Sequence, residues 1–268
     1  MRDISFGQYY RAESFAHSLD PRTKLLMVVA YITGVFLVDS LYSYIAVAGF
    51  IIIGILVSRV PIKSVLKSVK GVLFLVLFTA ILNIFYSTEG TVLVSWGFLT
   101  ITTGGLLFAL KMGLRLVFLV IGTALLTLTT TPMNLTDGLE SLMKPLKKIK
   151  FPVHEVALIM SIALRFIPIL MEEVDKIMMA QKARGANFDN GNIIKRAKAL
   201  LPVLIPLIVS AFRRADELAM AMDARCYNAT PNRTKMKVLK FSYRDIVAGI
   251  ATAIFIALVV AINAGFWI

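Results

Sequence analysis

Residues 246–268 read IVAGIATAIFIALVVAINAGFWI, 23 positions without a charged side chain. A hydrocarbon core about 30 Å thick takes roughly 20 residues of α-helix, so this stretch is long enough to cross it. Within it Gly249, Ala253, Ala257, Ala261 and Gly265 recur at every fourth position, a small-residue stripe on which another helix can lie backbone to backbone. Working outward, residues 25–38 and 41–57 are apolar and parted by Asp39-Ser40, 71–86 is a third run, and 112–131 is a fourth, interrupted by Arg115. Five spans are expected. The first and third are short, which leaves tilt or a re-entrant hairpin at Asp39 as alternatives. The composition agrees: 58% hydrophobic and 17% charged residues cannot clothe a water-facing surface, since soluble domains average about 45–50% apolar and a quarter charged. The expected class is an all-α integral membrane protein, with about five transmembrane helices and long amphipathic helices at the cytoplasmic face.

The charges report the topology. Of 29 basic residues, four lie in 1–24, four in 58–70 (Arg59, Lys63, Lys67, Lys70), none in 87–103 and eighteen in 132–243. These segments alternate correctly with the spans, so the positive-inside rule puts them, and the N-terminus, on the cytoplasmic side of the cell membrane. Residues 1–20 lack the apolar core of a signal peptide, and insertion by the chain's own helices is expected. Lys111 and Arg115 are exceptions near the outer end of the fourth span. They are expected to snorkel to the outer interface, a polar contact between subunits being the sharper reading.

The expected organisation is a membrane domain over 1–131, a coupling domain over 132–243 and a last transmembrane helix over 244–268. The middle region is greasy for a domain so charged. Val156–Met171 is apolar apart from Ser161 and Arg165, and Ala199–Phe212 contains Pro202 and Pro206. Both read as helices lying at the inner face of the membrane. Pro132 and Pro152 fit first helical turns, and Thr136 before Asp137 fits an N-cap.

Each greasy run leads into a methionine-rich charged helix. Aligned at a constant offset, residues 172–187 and 213–228 match at six positions: Asp175/Asp216, Met179/Met220, Ala180/Ala221, Ala183/Ala224, Arg184/Arg225 and Asn187/Asn228. The shared picture is a helix whose last turn shows Ala-x-x-Ala-Arg before a break. One such arginine complements the helix dipole, and Gly185 is an expected left-handed cap. Two in the same setting suit something more specific. A narrow, alanine-lined tip can enter a groove, its guanidinium bonding carboxylates or carbonyls there. Two equivalent tips are what one subunit needs to engage two copies of a partner. The expected docking residues are Ala183, Arg184 and Gly185 at one tip and Ala224, Arg225 and Cys226 at the other.

Several chemistries lack their groups. There is no Gly-x-x-x-x-Gly-Lys-Ser/Thr phosphate loop, no carboxylate mid-span for an ion relay, and one cysteine with two histidines offers no metal site and no disulfide framework. A non-catalytic membrane subunit is expected, with no cofactor and no metal of its own. The alternative is a stand-alone carrier or channel whose residues 132–243 form a regulatory domain.

Four stretches resemble a known family, the transmembrane T component of energy-coupling factor (ECF) transporters. They are His17-x-Leu19-Asp20-Pro21-Arg22-Thr23-Lys24; Thr130-Thr131-Pro132 with Leu135-Thr136-x-Gly138-Leu139-Glu140 and Pro145-Leu146-Lys147; Leu164-Arg165-Phe166-Ile167-Pro168 with Glu172-Glu173; and the two Ala-Arg-x ends. The second end reads Ala-Arg-Cys where the family has Ala-Arg-Gly. The resemblance implies a machine of four subunits for uptake of vitamins or other micronutrients. Beside this chain stand two cytoplasmic ABC-type ATPases, which hold ATP and Mg, and a small membrane subunit that captures the substrate. It implies that Arg184 and Arg225 end coupling helices seated in grooves of the ATPases. Contact with the substrate-capturing subunit is expected at Met160, Ile167, Met171, Met178 and Met179 on the first greasy helix, and at Leu204 and Leu207 on the second. Methionine suits surfaces that pack against several partners.

Overall fold

The computed structural model describes residues 9–86, 91–96, 99–186, 188, 193–227 and 239–265. Helices dominate: α1 (Pro21–Phe36), α2 (Leu41–Ser58), α3 (Ile62–Tyr86), α4 (Thr103–Thr129), α5 (Pro132–Leu142), α6 (Val153–Ala183), α7 (Ile193–Ala224) and α8 (Tyr243–Gly265). One short antiparallel hairpin, β1 (Val92–Trp96) with β2 (Leu99–Thr102), joins α3 to α4. Its residues include Val, Thr, Ile and Trp, β-branched and aromatic types that favour extended backbone. The fold is all-α apart from that ribbon. The chain divides into two compact units, residues 5–144 with 239–268, and residues 145–238.

In the first unit, sequence and helix ends agree locally. The Asp20 side chain caps α1 through the Arg22 N–H at 2.9 Å, with Pro21 in the first turn. Ser40 caps α2 through the Ser43 N–H, and Thr102 caps α4 through the Gly105 N–H. For α5 the cap is Thr131, bonded by the Asn134 N–H, with Pro132 behind it. This corrects the expectation for Thr136, which lies inside α5 and turns its hydroxyl to the Pro132 carbonyl at 3.1 Å. Thr131 wins because proline next to it supplies the first helical φ at no cost in hydrogen bonds.

The core of this unit is where α1, α2, α4 and α8 meet. Tyr31, Val35, Val38, Tyr44, Val47, Ile51, Phe255 and Val259 are buried together. The Phe50 and Phe255 rings stack at 4.4 Å, and Tyr31 lies against both at about 6 Å while donating its hydroxyl to the Phe118 carbonyl at 2.8 Å. The Tyr31 hydroxyl thus keeps a partner inside the core, as burial favours. α3 packs along α4 yet turns large apolar side chains outward, with Phe74 80% exposed and Leu77 60%. Such a surface belongs against lipid or another protein.

α2, α3, α4, α6 and α8 are each long and apolar enough to cross a membrane. α1, at 16 residues, reaches only about 24 Å at 1.5 Å per residue. Its end shows how a short helix is finished. The carbonyl of Leu37 accepts from Asn263 Nδ2, that of Val38 from Arg115, and that of Asp39 from Lys111 Nζ at 2.8 Å. Asn263 in turn accepts the Ser43 hydroxyl at 2.8 Å. Lys111 and Arg115, expected near the outer interface, have carbonyl partners within the chain. They bond carbonyls left open where α1 stops, the class of backbone group that lipid cannot satisfy.

In the second unit α6 and α7 are continuous over 31 and 32 residues. α6 runs through Pro168 and α7 through Pro202 and Pro206. α6 begins at Val153 with Pro152 as the residue before it, not in its first turn.

Candidate docking site

α6 and α7 end in the same hydrogen-bond pattern. After α6 the Gly185 N–H donates to the Lys182 carbonyl at 3.0 Å and the Ala186 N–H to that of Gln181 at 3.0 Å. After α7 the Cys226 N–H donates to Asp223 at 2.9 Å and the Tyr227 N–H to Met222 at 2.9 Å. Each pair is a Schellman closure, which needs a left-handed residue just past the helix. Gly185 adopts it at φ 90° and Cys226 at φ 54°. Glycine enters that region freely, whereas a residue with a Cβ gives up roughly 1–2 kcal/mol there. Cys226 nevertheless takes the backbone shape of Gly185, so the departure from Ala-Arg-Gly leaves the turn intact.

The arginines occupy the position before the left-handed residue in both ends. The Arg184 N–H bonds back to Ala180 and Gln181, and that of Arg225 to Met222. Both side chains are exposed, as are Ala183, Gly185, Ala224 and Cys226. Neither guanidinium forms an ion pair among the described residues. Asn187 and Asn228, the last matched pair of the alignment, lie outside the described residues.

Behind the tips the helices are tied to each other. Arg214 NH2 reaches Glu173 Oε2 at 3.0 Å across a separation of 41 residues, and Gln181 Nε2 donates to the Pro202 carbonyl at 3.5 Å. Gln181 follows Glu173 on α6 while Pro202 precedes Arg214 on α7, so the two helices pass in opposite senses. Arg184 and Arg225 each lie eleven residues beyond the Glu173–Arg214 pair, about 16 Å of helix, and opposite senses send them away from one another. The alignment missed this pair because it scored identities. Opposite charges at aligned positions, Glu172/Arg213 and Glu173/Arg214 among them, were the available signal.

The apolar flanks of these helices are uncovered. Met160, Met171 and Leu204 are exposed and Met179 is 63% exposed, with Ile167, Met178 and Leu207 half-buried. Ile159, Ile205 and Phe212 are exposed by 61–69% and were not singled out by the sequence reading, which weighed methionine content over bulk.

The motif at residues 17–24 has a structural role in the other unit. Asp245 Oδ1 accepts the Asp20 N–H at 2.8 Å and its Oδ2 the Ser242 N–H at 2.7 Å, fixing α8 to the start of α1. Lys24 Nζ donates to Thr129 O at 3.0 Å, Thr130 Oγ1 at 3.2 Å and His17 O at 3.4 Å. Burial pushes this ammonium down to about 8, with the charge of Asp245 opposing the shift. Arg22 lies 5.3 Å from the Phe241 ring and bonds Leu239 O. Against the same corner Gly138 admits α5, since a Cβ there would meet Pro21 at 2.9 Å. Of the residues quoted for the ECF resemblance, this group builds the bundle, whereas the two tips are exposed and form no ion pair among the described residues.

Helices, apolar surface and satisfied intramembrane backbone define an all-α integral membrane protein. The profile of the cobalt transport protein family (CbiQ) matches residues 12–236. Curated proteins called energy-coupling factor transporter transmembrane protein EcfT are similar along nearly the whole chain. That of Ruminiclostridium cellulolyticum is 50% identical over 97% of both chains, that of Clostridium kluyveri 52% over 96% of both, and that of Bacillus subtilis 46% over 97% of this chain and 96% of its own. The chain belongs to this family, the transmembrane components of ECF transporters.

Proposed function

We propose that this chain is the coupling subunit of an ECF-type importer, passing ATP-driven motion of two ABC-type ATPases to a membrane subunit that holds a vitamin or another micronutrient. The duplicated Schellman ends carry the reading. Two exposed arginines in one backbone setting, on helices bonded to each other, are suited to two equivalent grooves. ATP and Mg are held by the ATPases, and this chain supplies no catalytic group. Closure of the ATPases moves the tips, α6 and α7 shift as a bonded pair, and the apolar flanks at Met160, Ile167, Met171, Met178, Met179, Leu204 and Leu207 pass the motion to the substrate-holding subunit.

This reading keeps α6 along the inner face of the cytoplasmic membrane although its length would let it cross. Crossing would carry Arg184 and the ten further Lys and Arg residues up to position 243 to the outer side, against the positive-inside rule. With α6 on the inner face, the N-terminus and both tips share the cytoplasm.

Co-purification tests the reading. Arg184→Glu and Arg225→Glu are each expected to retain some ATPase and lose most transport, and the double variant to lose both. Wild-type ATPase retention and transport in the double variant would overturn it. The rival reading as a stand-alone carrier predicts uptake by this chain alone in liposomes, where the coupling reading predicts none.

A further inference from the structure

A groove of about 1130 Å³ runs between α2 and α8 under the segment 12–19. Its walls are Phe50, Ile53 and Val57 on one side and Val247 and Ala251 on the other. Ile53 is 60% exposed and Val247 52%, so no described residue fills the space between them. Its polar lining gathers at one end, around Arg59, Tyr243 and Arg244, with His17, Ser18 and Glu13 in the segment above.

Among the described residues the cations at that end have no carboxylate of their own. Arg59 terminates α2, and Arg59, Lys63, Lys67 and Lys70 follow one another without an acid in 58–70. Arg244 donates to Ser18 Oγ at 2.9 Å and lies 6.0 Å from the Tyr243 ring. Its neighbour Asp245 is unavailable, both oxygens being taken by the N–H groups of Asp20 and Ser242. Neither arginine forms an ion pair among the described residues. Among the described residues Glu13 is the one acid lining the groove, which leaves Arg59 and Arg244 in excess there. The His17 ring is engaged with Ser14 Oγ at 2.7 Å and Tyr10 O at 2.9 Å.

Apolar walls that open sideways among membrane spans, closed at one end by guanidinium groups without a carboxylate among the described residues, match an amphiphile with a single anionic head. A free anion has no use for the walls, and a partner helix would bring its apolar face to the arginines as well. We propose that this groove holds an anionic phospholipid of the leaflet on the N-terminal side, its phosphate between Arg59 and Arg244 and an acyl chain along Ile53, Val57, Val247 and Ala251. Basic pockets between helices at the inner surface recognise headgroups in this way, each cation adding on the order of 1 kcal/mol. The site is separate from the docking tips and does not depend on the coupling reading.

Native mass spectrometry of the delipidated full-length chain in detergent, titrated with phosphatidylglycerol and phosphatidylcholine of identical acyl chains, tests it. The wild type is expected to hold phosphatidylglycerol about tenfold better. Arg59→Gln with Arg244→Gln should bring the ratio near one. The Lys pair at the same positions should keep the preference, and Ala251→Trp should reduce retention of both lipids by filling the groove. Millimolar inorganic phosphate should leave the bound lipid in place. Equal retention of the two lipids by the wild type, an unchanged preference in the Gln pair, full retention in Ala251→Trp, or displacement by phosphate alone would overturn the proposal.

Discussion

Glu173 and Arg214 stand at the same position in two copies of one helical register, 41 residues apart, and are bonded to each other at 3.0 Å. A residue that meets its own counterpart lies near a local two-fold axis, so the two tips are related by that axis as well as by sequence. Each carries its arginine an equal length of helix from the shared contact.

Reversal of one charge tests the contact. Glu173→Arg should destabilise the chain by about 1–2 kcal/mol, since two cations then face one another, and Glu173→Arg with Arg214→Glu should recover most of it. The readout is thermal unfolding of the detergent-purified protein, compared as a double-mutant cycle. A double variant no better than the sum of the singles would show that the pair is incidental.

The left-handed turn makes opposite predictions at its two copies. Cys226→Gly should stabilise the second helix end by roughly 1 kcal/mol, because glycine adopts φ 54° without strain. Gly185→Val should cost more than that and loosen the first end. Limited proteolysis after residues 183 and 224 compares the two directly, with protection expected in the first variant and faster cleavage in the second.

Lys111, Arg115 and Asn263 finish α1 from α4 and α8. Arg115→Leu is expected to cost about 1–3 kcal/mol through the carbonyl it strands, and Asn263→Leu a comparable amount, despite both replacements being more apolar. Yield and melting temperature in detergent measure this. If the leucine variants were more stable, the carbonyls would have found other donors.

Lys24 predicts a pH dependence. The unfolded chain keeps this proton up to about 10.5, while the folded one gives it up near 8. Unfolding between those values takes up a proton, so stability should rise with pH there by up to about 1.4 kcal/mol per unit and be flat in this respect below 8. The difference in melting temperature between wild type and Lys24→Met, followed from pH 7 to 10, isolates the contribution. A difference independent of pH would leave Lys24 charged throughout.

What the residues disclosed and what they withheld follow physical lines. The uncharged run through α8 and the basic segments told of lipid and of spans, because hydropathy and charge act one residue at a time. The tips were legible because a repeat compares the chain with itself. Pairings between distant residues were not legible: nothing local in Lys111 or Arg115 says that the carbonyls of Val38 and Asp39 are within reach. The shortness of α1 was legible, and the helix has 16 residues, but the donors that serve the carbonyls after it were not. Proline was weighed too heavily in α7, where Pro202 and Pro206 lie within a continuous helix.

The finish of α1 also sets an order of events. Its Leu37 carbonyl is served by a residue 226 positions later. At about 5–20 residues per second, that partner emerges from the ribosome roughly 10–45 s after the helix it completes. Through that interval α1 has only α4 and α5 of its packing partners complete. Completion of the first helices is thus timed by α8, and a ribosome that stalls before it leaves the Leu37 carbonyl without its Asn263 donor.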